Sequence, residues 1–159
     1  MRFRIDGALY DKASPERERE WRLAVMELNA EGDGGEPTLT LYRRRDGGVD
    51  VHVSPGGEGA PRIVELSYAR MRTHFREYRN VIRHLARAGS GPLGRRDMET
   101  LDYAKKLAHD EAGKAVRDAL AGVVEVDHRL GRRLFTLIFL VSSELPENLV
   151  RRHLRRGGE

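Results

Sequence analysis

"RIVELSYARMRTHFREYRNVIRHLAR", residues 62–87, changes its period part-way through. "RIVEL" (62–66) reads as a short strand. From Ser67 onward the apolar residues Met71, Phe75, Tyr78, Ile82 and Leu85 fall at steps of four, three, four and three, the stripe of an amphipathic helix. Strands precede this switch and helices follow it, which predicts an α+β domain with helices packed on one face of a small sheet.

Upstream, "TLTLYR" (38–43) and "VDVHV" (49–53) alternate with period two and flank Asp46-Gly47, a strong hairpin signal. With residues 62–66 as a third strand the sheet is expected to be antiparallel. The opening "RFRI" (2–5) adds a possible fourth strand. Between them lies a leading helix: Ser14 is placed to cap it, Pro15 occupies its first position, and Trp21, Val25 and Leu28 follow at steps of four and three.

Downstream, "GSGPLGRR" (89–96) is spelled like a phosphate loop, yet it follows a helix rather than a strand, and Pro92 removes a backbone donor. It reads as a helix–helix turn, with Gly89 ending one helix and Gly94 allowing reversal into the next. The second helix is expected over about 97–120, loosened at Gly113 and closed by Gly122. Asp127 then caps a third, "HRLGRRLFTLIFLV" (128–141). Residues 1–141 are read as one domain and 142–159 as a basic tail, with room for one more short helix.

The chain has 159 residues, 39% hydrophobic and 34% charged, with a net charge of +4. That length suits one domain with a real core. The absence of cysteine excludes disulfides and thiol chemistry. No apolar run is long enough to span a bilayer, and the N-terminus lacks the stretch of a signal peptide, so the expectation is a cytoplasmic protein without membrane insertion. Charge is segregated: residues 11–36 carry eight acids against four bases, whereas residues 68–96 carry eight arginines and the single acid Glu77.

Residues 101–141 also resemble a known family. Asp102, His109, Glu111, Val126-Asp127 and Arg132-Arg133-Leu134-Phe135-Thr136-Leu137-Ile138 match, without gaps, the closing pattern of a family of small bacterial proteins, family 262 of the UPF series. Asp110 stands where the family tends to show Asn, and Ala112-Gly113 where Gly follows the acid directly. The resemblance implies a bacterial cytoplasmic protein and carries no catalytic role to any residue.

Two groups of side chains are candidate sites. Arg72, Arg76, Arg79, Arg83 and Arg87 fall within an arc of about 80° on the helix after Ser67. Guanidiniums in line repel one another, so something negative is expected along them: a phosphate backbone, an acidic partner, or acids of this protein. The last is favoured, because Glu16, Glu18, Glu20 and Glu27 of the leading helix, or a second subunit, can supply carboxylates. Phe75 and Tyr78 sit on the apolar side and leave little to stack on bases. The second group is Asp102, Lys106 and His109, on one edge of the second helix, with His109 the best general base in the chain. A charged trio at this spacing is also what a solvated helix border shows. The six histidines are scattered without ligand spacing, so neither a metal nor a cofactor is expected.

The reading these observations favour is a non-catalytic module that binds a protein partner or its own copy. Phe135, Leu137, Ile138, Phe139 and Leu140 nearly encircle the third helix, which must therefore lie at the centre of the domain or be covered by another chain. A sequence-nonspecific nucleic-acid binder using the arginine row is the alternative, and an enzyme centred on His109 is a third reading.

Overall fold

A computed structural model of the chain describes residues 1–57, 59–88 and 94–142. Nine elements follow in order: β1 (Arg2–Ile5), α1 (Gly7–Lys12), α2 (Pro15–Glu31), β2 (Thr38–Arg43), β3 (Val49–Ser54), β4 (Arg62–Leu66), α3 (Tyr68–Ala88), α4 (Arg95–Leu120) and α5 (His128–Val141). The α+β class is as the sequence predicts. The turn at 89–93 and the tail at 143–159 lie outside the described residues.

The sheet runs β1-β2-β3-β4. Strands β2, β3 and β4 form the expected antiparallel ladder, with Leu41 opposite Val51 and Val51 opposite Val64. At the hairpin, Asp46 Oδ1 accepts from the Gly48 N–H at 2.8 Å, and Gly47 takes φ +95°, a left-handed conformation that glycine adopts without strain. β1 is the fourth strand, but it pairs parallel to β2, so the sheet is mixed rather than wholly antiparallel. The physical reason is the connection: α1 and α2 together carry the chain back along the sheet, as a parallel pair requires. At the free edge of β1, Asn29 of α2 accepts from the Phe3 N–H at 2.8 Å and donates to the Phe3 carbonyl at 3.0 Å. A side-chain amide thus occupies both Phe3 groups that a further strand would pair with.

One sheet face buries Phe3, Ile5, Leu39, Leu41, Val49, Val51, Val53, Val64 and Leu66. The helices cover that face. The N-caps are those the sequence marks: Ser14 Oγ accepts from the Arg17 N–H at 3.2 Å, and Asp127 Oδ1 from the Leu130 N–H at 2.7 Å. α5 sits at the centre, with Leu134, Phe135 and Leu137 to Val141 all buried. Its encircling apolar surface meets β2, α2, α4 and the rings of α3: Phe75 lies 6.1 Å from Phe135, and Tyr78 5.0 Å from Phe139. Elements of the same chain therefore cover this helix, and no second chain is needed to do so.

α4 is continuous through Gly113, where a loosening was expected. The glycine is there for approach. A Cβ on Gly113 would stand 2.9 Å from Arg132 N and 3.0 Å from Arg132 Cα, and one on Gly131 would stand 2.9 Å from the Gly113 carbonyl oxygen. The two helix backbones touch at this crossing. Gly113→Ala is expected to destabilise the protein by about 1–3 kcal/mol through overpacking, outweighing the roughly 1 kcal/mol of helix propensity it gains. Gly7→Ala, where a Cβ meets nothing within 4 Å, is the control and should be neutral or stabilising in urea denaturation. Equal midpoints for the two variants would refute the crossing's role.

Candidate functional site

The arginine row lies along the outer side of α3, whose opposite side sends Met71, Phe75, Tyr78, Ile82 and Leu85 into the core. Arg72, Arg76 and Arg87 are exposed, while Arg79 and Arg83 are half-buried. The side chains of Arg72, Arg76 and Arg83 form no ion pair or hydrogen bond among the described residues. The acids of the leading helix do not reach these three, because α2 packs beside β1 and α5. Glu18 pairs with Arg22 of its own helix at 2.8 Å. Glu31 holds Arg129 at 2.7 Å and Arg133 at 3.0 Å, both on α5.

The Asp102, Lys106 and His109 trio separates. Asp102 and Lys106 are exposed and make no side-chain hydrogen bond or ion pair among the described residues. His109 turns inward. Its Nε2 lies 2.8 Å from the Arg132 carbonyl oxygen and 2.8 Å from Thr136 Oγ1. A carbonyl can only accept, so Nε2 carries the ring proton and Nδ1 the lone pair. That lone pair faces the Arg132 guanidinium, with Nη2 at 3.4 Å.

Tyr78 completes the cluster. Its ring lies 5.3 Å from the imidazole, and its fully buried hydroxyl bonds to the Thr136 side chain. Burial raises the tyrosine pKa above its ordinary value. Burial also pushes His109 down to about 4; the bond to the Arg132 carbonyl opposes this, while the Arg132 and Lys105 charges add to it. Beside this network Asp110 holds Arg132 at 3.0 Å and His128 at 3.4 Å.

A neutral histidine with its proton on a carbonyl and its lone pair against a cation is built to fasten α4 to α5. It is poorly placed to take a proton from a substrate. Spacing within one helix could not reveal this, because Tyr78, Arg132 and Thr136 come from other elements. The sequence does show that Arg132 and Thr136 are four residues apart and so share one side of α5, and that both fall with His109 in the family-like closing pattern, but not that the three meet. Among the described residues no three His, Asp or Glu side chains gather to hold a metal ion, and no helix is long and apolar enough to cross a membrane.

The fold and these surfaces define a small α+β protein whose sheet is covered by helices on one face and whose α3 shows a row of cations. Residues 1–144 match the model of an uncharacterised protein family, UPF0262, and the chain belongs to that family. It is 30% identical to a UPF0262 protein of Sphingopyxis alaskensis over 135 residues, covering 79% of this chain and 81% of the relative. It is also 30% identical to one of Novosphingobium aromaticivorans, covering 84% and 90%, and 28% identical to one of Rhizobium etli, covering 86% and 92%. No solved structure matches the chain.

The histidine has a consequence for stability. Between pH 6.5 and about 4 the unfolded chain binds a proton that folded His109 refuses. Stability from this group is therefore complete above pH 6.5 and falls as the pH drops towards 4, by about 2–3 kcal/mol. Urea denaturation at pH 7 and pH 4.5 should show a clearly smaller fall for His109→Gln than for wild type. Parallel falls would exclude His109 as the source.

Proposed function

We propose that this protein is a non-catalytic interaction module that engages an acidic surface of a protein partner through the arginine row of α3. One observation supports the reading above the others: Arg72, Arg76 and Arg83 stand on the outer side of one helix without an anionic partner among the described residues. Parallel cations held on a rigid helix repel one another, and an acidic surface docking there relieves that repulsion while steering the encounter. Arginine suits the task because its planar fork takes a carboxylate in two hydrogen bonds.

A protein partner is favoured over nucleic acid by what flanks the row. Phe75 and Tyr78 are fully buried and offer no ring to a base, and exposed Glu77 lies at the row's edge, where a phosphate backbone would meet repulsion. A second copy docking row to row is disfavoured, because a two-fold contact sets the same cations against each other.

The test combines three proteins: wild type, R72E/R76E/R83E, and an exposed control, Lys114→Glu on α4. The expected result is a protein that co-purifies with wild type and the control through nuclease treatment, and whose affinity for the triple variant falls about tenfold or more. Labelled duplex DNA and RNA are titrated alongside by anisotropy. Nucleic-acid binding at physiological salt that weakens steeply with added salt and is lost in the triple variant would transfer the row to the phosphate reading. A partner held equally by all three proteins would remove the row from the function.

A further inference from the structure

A second cationic site lies away from the row. In "TLTLYR" the period-two pattern that turns Leu39 and Leu41 toward the helices also turns Arg43 that way, so a guanidinium ends the apolar face of β2. Its Nε donates to the Val141 carbonyl at 2.8 Å, which fixes the side chain at the end of α5. Its guanidinium carbon sits 5.7 Å from the centre of the Trp21 rings. Arg43 has no carboxylate partner among the described residues.

Around it opens a pocket of about 380 Å³, lined by Leu9, Lys12, Ala13, Ser14, Arg17, Trp21 and Arg43. Among the described residues that line it, Lys12, Arg17 and Arg43 are cations and none is an acid. Lys12 likewise forms no ion pair among the described residues. Burial and the nearby charge of Arg17 both hold Arg43 below its ordinary pKa, so the fold keeps two like charges together in a partly desolvated place. The pocket lies at the carboxyl ends of the parallel strands β1 and β2, between the end of β2 and the helix that follows β1, where open sheets with parallel strands commonly bind ligands.

We propose that this pocket binds a small phosphate-bearing anion, with Lys12, Arg17 and Arg43 holding the phosphate and Trp21, Leu9 and Ala13 covering an apolar body. Phosphate fits better than a single carboxylate because Lys12 and Arg43, neither with an acid partner among the described residues, together match a dianion, and a guanidinium takes its oxygens in pairs. The volume exceeds what a bare phosphate fills and falls at the low end of the ~300–1,000 Å³ typical of small-molecule sites. The N-terminus of α2 is not needed for this: Pro15 has no N–H, and the Arg17 N–H already bonds to Ser14. The site is independent of the proposed use of the α3 row.

Trp21 is the only tryptophan in the chain and forms part of the pocket wall, so its fluorescence reports occupancy. The probes are inorganic phosphate and pyrophosphate, with sodium chloride at matched ionic strength. The expected result is a saturable change with pyrophosphate but not chloride, weakened about fivefold or more in Lys12→Gln and further in Arg43→Gln. A rise in Tm with pyrophosphate should accompany it in wild type. Lys12 is exposed, so its variant keeps the proposal testable if loss of Arg43 unfolds the end of α5. R72E/R76E/R83E should titrate like wild type, which separates this site from the α3 row. No saturation in wild type, or equal titration of wild type, Lys12→Gln and folded Arg43→Gln, would overturn the proposal.

Discussion

The backbones of α4 and α5 touch at Gly113 and Gly131, and that contact sets the depth at which α5 lies in the protein. Side chains larger than hydrogen at this crossing would hold the helices farther apart. Because they are absent, α5 sinks between the sheet and the other helices, and its apolar residues find neighbours on every side. The same proximity brings the Arg132 carbonyl within 2.8 Å of His109 Nε2, and Asp110 within 3.0 Å of Arg132. The polar network between α4 and α5 is thus a consequence of the crossing. It forms only because the backbones first come close enough for short hydrogen bonds.

Charge is distributed around this core with the same economy. Glu31 of the acidic helix α2 pairs with Arg129 and Arg133, at the solvent edge of α5, and so ties the outer border of the central helix. Exposed pairs of this kind contribute little to stability, commonly about 0–1 kcal/mol. Their effect here lies in what they leave behind. With α2 packed against α5 and β1, and Arg72, Arg76 and Arg83 of α3 without an ion pair among the described residues, the segregation visible along the chain persists in three dimensions among those residues.

Local physics was legible in the sequence, and long-range pairing was not. Ser14, Asp127 and Asp46-Gly47 act through hydrogen bonds within three residues of themselves, so the caps and the hairpin follow from the letters alone. The stripe from Met71 to Leu85 needed only the helical period. By contrast, "RFRI" carries no mark of whether it joins β2 parallel or antiparallel, since that depends on how α1 and α2 return the chain. Gly113 looked like a weak point because a glycine in a helix usually is one; its reason lies nineteen residues away at the Arg132 backbone. For His109 the spacing identified the residue and misled about its company, because Asp102 and Lys106 share its helix and its true neighbours do not.

One signal in the sequence was available and is of a general kind: a charge on the inward face of a strand. Arg43 continues the register of Leu39 and Leu41, and Arg62 faces the helices opposite Val53 at the start of β4. Both arginines bond a helix-end carbonyl, Arg43 that of Val141 and Arg62 that of Gly122 just past α4, where the helix dipole favours a cation. Capping therefore explains why each is tolerated on that face. It does not explain why Arg43 alone gathers further positive charge. The cleft beside Arg62 is lined by Glu36 and apolar residues, so its cation has an acid for company. The pocket beside Arg43 adds Lys12 and Arg17 and, among the described residues, no acid. A cap needs one cation, and Lys12, which forms no ion pair among the described residues, places a second beside it that an anion in the pocket would offset.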